Sequence, residues 1–462
     1  MTEKIQKLLS DSKTARWTAL LVVSFTMFAG YYLADVMAPL QGLVRNQLGW
    51  NDTDYGFFTS AYGWFNVFLF FLIIGGIILD KKGIRFTGLG ASIIMVLGTG
   101  IKYWAISTHS LDDMVLFGWK AQVMVAAIGY AIFGVGVEIA GITASKVIVK
   151  WFKGNELALA MGMQLSVARL GTALALSSSR PIALATGTVS TPILICLIML
   201  CIGVLAFFMY MTMDRKLDAS IIAVKGQTEK LSDPEEEFQI KDIFNIITNK
   251  GWWYIAILCV LFYSSVFPFL KYATDIMVNK FGVNEYWAGL LPGLLPFGTI
   301  FFTPLFGGIY DKKGKGASIM IIGAFIIVCV HALFSIPFLN HWIIAVILMI
   351  LLGIGFSLVP SAMWPSVPKI IPERQLGTAY SLIFWVQNWG LMGVPALIGW
   401  VVNTYCITGT KLVEGVSENT YDYTIPMLIF TGFGVLSILF GFLLKMEDKK
   451  KQYGLQLPNI KK

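Results

Sequence analysis

The chain of 462 residues is 56% hydrophobic and only 13% charged, about half the charged share of an ordinary soluble domain. That excludes a water-soluble enzyme and leaves room for roughly a dozen bilayer-spanning helices with short connections. The net charge of +8 is scattered among apolar runs and forms no continuous basic stripe, so no nucleic-acid partner is expected and membrane topogenesis accounts for it.

Apolar runs between charged punctuation predict twelve spans, at 17–38, 54–79, 86–106, 121–147, 155–178, 191–213, 252–276, 285–310, 316–337, 342–367, 375–402 and 424–446. The first follows Lys4, Lys7, Lys13 and Arg16, lacks a small-residue cleavage pattern, and reads as a retained helix rather than a signal peptide. When the connections are assigned alternately to the two sides, 26 of the 35 Lys and Arg residues fall on the side of the termini. Seven fall opposite (Arg45, Lys102, Lys120, Arg180, Lys271, Lys280, Lys411), and Lys146 and Arg169 lie within spans. The positive-inside rule then places both termini in the cytoplasm.

The polar stretch 214–250, running through Asp233-Pro234-Glu235-Glu236-Glu237, divides the chain. The expected organisation is an N-terminal six-helix bundle (1–213), a solvated cytoplasmic linker (214–250) and a C-terminal six-helix bundle with a basic cytoplasmic tail (251–462). The fold class is thus an all-α membrane protein of two six-helix bundles. The five cysteines show no paired spacing and the three histidines stand far apart, so neither a disulfide framework nor a metal or other cofactor is expected.

An internal repeat supports the division. Gly76-Ile-Ile-Leu-Asp80-Lys81-Lys82-Gly83-Ile-Arg85 follows the second span, and Gly307-Gly-Ile-Tyr-Asp311-Lys312-Lys313-Gly314-Lys315 follows the eighth, with Asp80 and Asp311 standing 231 residues apart. Such a loop suits a hinge between closely packed helices: a small residue admits a neighbouring backbone, Asp ends a helix, the basic pair sits at the membrane surface, and Gly turns the chain. Gly76, Asp80, Lys81, Gly83, Arg85, Gly307, Asp311, Lys312 and Gly314 are therefore candidate gating residues. At an offset of 219, Gly134-Val-Gly136-Val-Glu138 corresponds to Gly353-Ile-Gly355-Phe-Ser357, and Arg169-Leu-Gly171 to Asn388-Trp-Gly390. Two parallel halves that rock about a site near the midplane make a transporter.

Few ionisable residues remain inside the spans, where each costs about 2.5–3.5 kcal/mol near the centre of a helix. Glu138 lies 12 residues from Lys150 and Arg169 lies 13 from Glu156. At 1.5 Å per residue, both sit about 18–20 Å from the inner helix ends. Opposite charges at one depth on neighbouring helices invite either an internal ion pair or a substrate that takes both. Asp35, beyond Tyr31 and Tyr32, suits a helix-end gate, a contact for a substrate amine or a proton carrier. Lys146 reads as a structural residue that snorkels to the interface. Tyr263, Ser357, Trp364, Trp385, Gln387 and Asn388 are candidates to line the wall opposite, and most such residues serve helix packing.

The two halves, the linker and the duplicated loop resemble the major facilitator superfamily over essentially the whole length. Within it, Gly134-Val-Gly136-Val-Glu138, Trp151-Phe152-Lys153-Gly154-Asn-Glu156-Leu157, Gln164-Leu165-Ser166-Val-Ala168-Arg169, Val266-Phe267-Pro268-Phe269, Trp364-Pro365 and Pro372-Glu373-Arg-Gln375-Leu376-Gly377 resemble the lysosomal dipeptide-transporter family. That resemblance implies a facilitative dipeptide carrier in which Glu138 and Arg169 meet the charged ends of the ligand. Tyr31, Asp35, Ser357, Trp364, Gln387 and Asn388 join them as candidate substrate-binding residues on their own positions in the spans.

The partners expected are a small zwitterionic substrate and the lipid bilayer; whether an accessory subunit is needed stays open. An N-terminus without an acidic dileucine address, together with short external loops, points to a prokaryotic cytoplasmic membrane. An organic-anion or nitrate-type exchanger is the alternative within the fold, motivated by Arg169, and a transport-dead peptide sensor signalling through 214–250 is the alternative of another class. No span carries a Ser/His, paired-Asp or His-Glu-x-x-His constellation, so an intramembrane enzyme is not expected.

Overall fold

In a hydrocarbon slab every backbone N–H and C=O must find its partner within the segment, so the apolar runs have little choice but to form helices. The computed structural model describes residues 9–111, 114–152, 157–225, 240–372, 376–413 and 416–458. In chain order the helices are α1 (Lys13–Asp35), α2 (Gln41–Leu48), α3 (Asp52–Ser60), α4 (Trp64–Phe68), α5 (Phe71–Ser107), α6 (Ala121–Phe152), α7 (Leu157–Thr186) and α8 (Ser190–Lys225). A short helix α9 (Ile240–Ile247) precedes α10 (Lys250–Asn279), α11 (Leu290–Lys313), α12 (Gly316–Ser335), α13 (Trp342–Ile370), α14 (Leu376–Tyr405) and α15 (Thr424–Lys451).

Among the described residues, ten helices are long and apolar enough to cross a bilayer, and a bent pair, Asp52–Phe68 with Phe71–Leu79, makes an eleventh span. Helix α7, thirty residues long, completes the twelve expected.

The second span departs from the expectation of one straight helix. It breaks around Leu69–Phe70, where Phe70 takes a left-handed conformation (φ 55°), and the two pieces meet at 56°. The Trp385 indole of α14 donates to the freed Val67 carbonyl at 3.1 Å, so the break is held from the other half. The loop expected between spans two and three is instead continuous with α5 and turns only at Gly83, whose φ of 79° an L side chain would resist. Two hairpins absent from the sequence reading, β1 (Val115–Leu116) with β2 (Trp119–Lys120) and β3 (Ile407–Val413) with β4 (Val416–Tyr421), cap the face opposite the termini.

In the first half α5 packs on α6 and α8, and α1 on α7 and α8; in the second α12 packs on α13 and α15, and α10 on α14 and α15. The halves meet along two seams, α3 with α14 and α7 with α11, the second and eleventh spans and the fifth and eighth. Each seam exchanges into the other when the halves are swapped. Gly56 and Gly289 allow the close approach: a Cβ on Gly56 would lie 2.7 Å from the Pro395 carbonyl oxygen, and one on Gly289 would overlap the Leu176 carbonyl.

Candidate functional site

Two glycines quoted from the repeat position the intramembrane charges. Gly134 lies one turn before Glu138 on α6, and any Cβ there would overlap the Tyr62 carbonyl oxygen. The chain between α3 and α4 therefore lies against α6, and the Tyr62 hydroxyl donates to Glu138 Oε1 at 2.8 Å. The Asn388 side chain of the second half also reaches that carboxylate. Gly171, two residues beyond Arg169 on α7, leaves room for the Phe28 carbonyl of α1, which sets Tyr31 beside Arg169.

Glu138 and Arg169 are both half-buried, and they do not pair with each other; among the described residues no carboxylate lies within 4.0 Å of Arg169. Instead its guanidinium carbon sits over three rings, Tyr31 at 5.6 Å, Phe267 at 5.3 Å and Phe356 at 5.5 Å. Phe267 belongs to α10 and Phe356 to α13, so a cation of the first half rests on aromatic faces of the second. Tyr31 also lies within the electrostatic reach of Glu138 and Asp35.

The other candidates are placed differently. Ser357 is fully buried and its hydroxyl donates to Gly353 O within its own helix at 2.8 Å. Asn388, also fully buried, donates to Phe384 O at 2.9 Å while its other oxygen-bearing end has no partner. Gln387 is buried, with Cys259 Sγ 3.6 Å from its amide oxygen. Trp364 is half-buried, with its ring centroid 5.0 Å from that of Phe384 and 5.8 Å from that of Tyr380. Tyr263 stacks on Phe267 at 5.2 Å. Asp35 is buried and its carboxylate is taken by Lys271 Nζ of α10 at 2.7 Å.

That pair opens a network which the sequence reading missed. On the face opposite the termini, Arg45 reaches Asp52 at 2.5 Å and Asp275 of the second half at 3.5 Å, and Gln41 donates to Asp52 at 2.9 Å. Tyr423 donates to Asp275, and the Arg45 guanidinium lies 4.4 Å from the centre of the Tyr421 ring. Arg180 meets Glu285 at 2.6 Å. Arg45, Arg180 and Lys271 carried a topological signal only, because an external basic residue in an anion-poor loop looks the same whether or not it finds a partner. Lys102, counted as a loop residue, is in fact fully buried in α5 with its ammonium 4.6 Å from the Tyr130 ring centre and 5.2 Å from that of Phe58.

The two copies of the duplicated loop differ. In the first, Arg85 pairs with Asp218 at 2.8 Å and lies 3.5 Å from Asp214, while Lys150 binds both carboxylates at 2.8 Å. The side chains of Asp80 and Lys81 lie outside the described residues, as do Glu156, 153–155 and 373–375 of the quoted motifs and 226–239 of the expected linker. In the second copy, Gly314 (φ 70°) and Lys315 are covered by the chain after α15, with Lys315 N donating to Gln456 O at 3.0 Å. Lys369, 219 residues after Lys150, donates to the carbonyls of Gly454 and Leu457 rather than to carboxylates. Asp311 is half-buried and Lys312 exposed. Among the described residues no heavy atom lies within 4 Å of a Cβ built on Gly76 or Gly307, so no described backbone packs on these small residues in this conformation.

A twelve-span bundle of two repeated halves, with an intramembrane cation of one half set against aromatic rings of the other, is the build of a secondary transporter. The Major Facilitator Superfamily model matches residues 20–395, and the chain belongs to that family. It is similar to the lysosomal dipeptide transporter MFSD1 of Bos taurus, 28% identical over 419 residues that cover 87% of this chain and 82% of the relative. The protein of that name from Danio rerio is 29% identical over 84% of this chain and 81% of its own. Among solved structures, a bacterial homologue of the human lysosomal transporter Spinster, inward-facing and unoccupied, matches with a TM-score of 0.67 at 13% identity, covering 95% of this chain and 98% of its own. A D-xylose–proton symporter matches with a TM-score of 0.67 at 17% identity, covering 92% and 97%. These likenesses between structures concern the fold.

Proposed function

We propose that this major facilitator transporter carries dipeptides, or small zwitterions of similar length, by alternating access. The observation that carries the reading is that Glu138 and Arg169, both half-buried, do not pair with each other: Glu138 meets the Tyr62 hydroxyl and Arg169 three aromatic rings. The charged form of either group costs several kcal/mol to hold away from water without an opposite charge. A ligand with a free ammonium and a free carboxylate supplies both partners, and each contact of this kind contributes about 1.5–3 kcal/mol. The named relatives, dipeptide transporters that match most of the chain, agree with it. They are lysosomal proteins of vertebrates and lend no support to a prokaryotic cytoplasmic membrane.

In this reading the domain boundaries stay at 1–213, 214–250 and 251–462, although α8 itself continues to Lys225. With the termini cytoplasmic, the ion pairs of Asp35, Arg45 and Arg180 close the external face. Gly76, Asp80, Gly83, Gly307, Asp311 and Gly314 act when that side closes in turn.

The test is a thermal-shift screen of the purified protein against dipeptides, single amino acids, nitrate and sugar phosphates, because a ligand that binds only the folded state raises the melting temperature. Dipeptides are expected to stabilise. The unpaired Arg169 is also what an anion exchanger would present, and stabilisation by nitrate but by no dipeptide would replace the peptide reading with that one.

A further inference from the structure

A guanidinium has two flat faces that stack on rings and one hydrogen-bonding edge that fits a carboxylate. The Arg169 guanidinium is flanked by the rings of Tyr31, Phe267 and Phe356, whose centroids lie 5.6, 5.3 and 5.5 Å from its carbon. A substrate carboxylate must then approach along the edge, in the plane of the fork, and the atoms attached to its α-carbon come to lie beside the same rings. Behind them the wall stays aromatic: Tyr263 stacks on Phe267 at an interplanar angle of 9°, and the Phe267 and Phe356 centroids are 5.6 Å apart. Phe356 is 3% exposed, whereas Phe267 is half-buried, as are Arg169 and Glu138.

The surroundings of Glu138 have another character, with the Tyr62 hydroxyl and the Asn388 amide as its neighbours. The two ends of the pocket therefore impose unequal demands. Resting on the dipeptide reading above, we propose that Phe267, backed by Phe356, selects the side chain next to the substrate carboxylate, favouring apolar and above all aromatic ones. A charged side chain there loses its hydration against ring faces, and Arg169 is already matched by the terminal carboxylate, so a second carboxylate finds no counter-ion and an ammonium meets a like charge. The residue bearing the free amine lies by polar groups and is less restricted.

The experiment compares ligand affinities of the purified full-length protein for Ala-Phe, Ala-Leu, Ala-Ser, Ala-Asp and Ala-Lys, and for the reversed peptides Phe-Ala, Leu-Ala, Ser-Ala, Asp-Ala and Lys-Ala. Ala-Phe and Ala-Leu are expected to bind at least about tenfold more tightly than Ala-Asp and Ala-Lys, with a smaller spread in the reversed series. Phe267→Ser is expected to erase that preference and Phe267→Trp to keep it, read within each variant as the ratio of Ala-Phe to Ala-Ser affinity. Equal affinities across the first series, or a spread as large in the reversed one, overturn the inference and leave the dipeptide reading standing. Failure of every dipeptide to bind overturns that reading and the inference with it.

Discussion

The carboxylate of Asp35 lies 2.7 Å from the ammonium of Lys271, and this single contact ties the first span of one half to the seventh span of the other. Lys271 donates in addition to the Ala34 carbonyl at 2.5 Å, and Tyr55 donates to the carbonyls of Met37 and Lys271 at 3.2 and 3.1 Å. The pair is thus built into the place where the helix ends of both halves converge.

Lys271→Met leaves the buried Asp35 carboxylate uncompensated, a change that costs about 3–5 kcal/mol in the conformation closed at this face. The melting temperature should fall, and a cysteine introduced at buried Thr59 should become reactive toward a membrane-impermeant thiol reagent. Asp35→Asn combined with Lys271→Met should recover most of the loss, because both charges are then gone. Losses that simply add in the double variant would show that the two residues act independently.

For the central charges, Arg169→Ala should abolish binding of an N-acetylated dipeptide, whose only charge is its carboxylate. Glu138→Gln should weaken free dipeptides about 10- to 100-fold while leaving the acetylated ligand nearly unaffected. Tyr62→Phe, which removes one hydrogen bond to Glu138, should cost a smaller factor, about 2- to 10-fold. The outcome against this assignment is an equal loss for both ligands in both charge variants.

The glycines divide into two groups that stability and uptake can tell apart. Gly134→Ala forces a Cβ into the Tyr62 backbone and should destabilise the protein by about 1–3 kcal/mol. Gly83→Ala strains a turn at φ 79° and should cost about 1 kcal/mol. Gly76→Ala and Gly307→Ala meet open space and should leave the melting temperature unchanged or slightly raised, yet slow uptake if these positions pack closely in the opposite conformation. Normal uptake in both variants would remove Gly76 and Gly307 from the gating set.

Lys150 and Lys369 occupy corresponding positions and hold unlike partners. Lys150→Met leaves Asp214, 1% exposed, with the Tyr210 hydroxyl at 3.1 Å and Arg85 at 3.5 Å. Lys369→Met frees two carbonyls and removes a cation from over the Tyr310 ring, but leaves no buried carboxylate behind. Thermal unfolding should therefore show the larger loss for Lys150→Met, and equal losses would argue against the asymmetry.

Spans and halves were readable from residue order alone because hydropathy needs only neighbours along the chain, and because the Asp80 and Asp311 loops repeat in recognisable form. A common height for Glu138 and Arg169 is expected for a similar reason: helical rise is constant, so counting residues estimates height. The rotation of those helices about their axes was not readable, since α6 is apolar nearly all round and the scattered polar residues of α7 mark no single inward stripe. Whether Glu138 would meet Arg169 or Tyr62 depended on Gly134 and Gly171 bringing other backbones against them, contacts between segments 72 and 143 residues apart. The break at Phe70, the rings of Phe267 and Phe356 around Arg169 and the Asp35–Lys271 bridge belong to the same category. Each is a meeting of the two halves, and local sequence carries no record of what lies across an interface until the chain has folded.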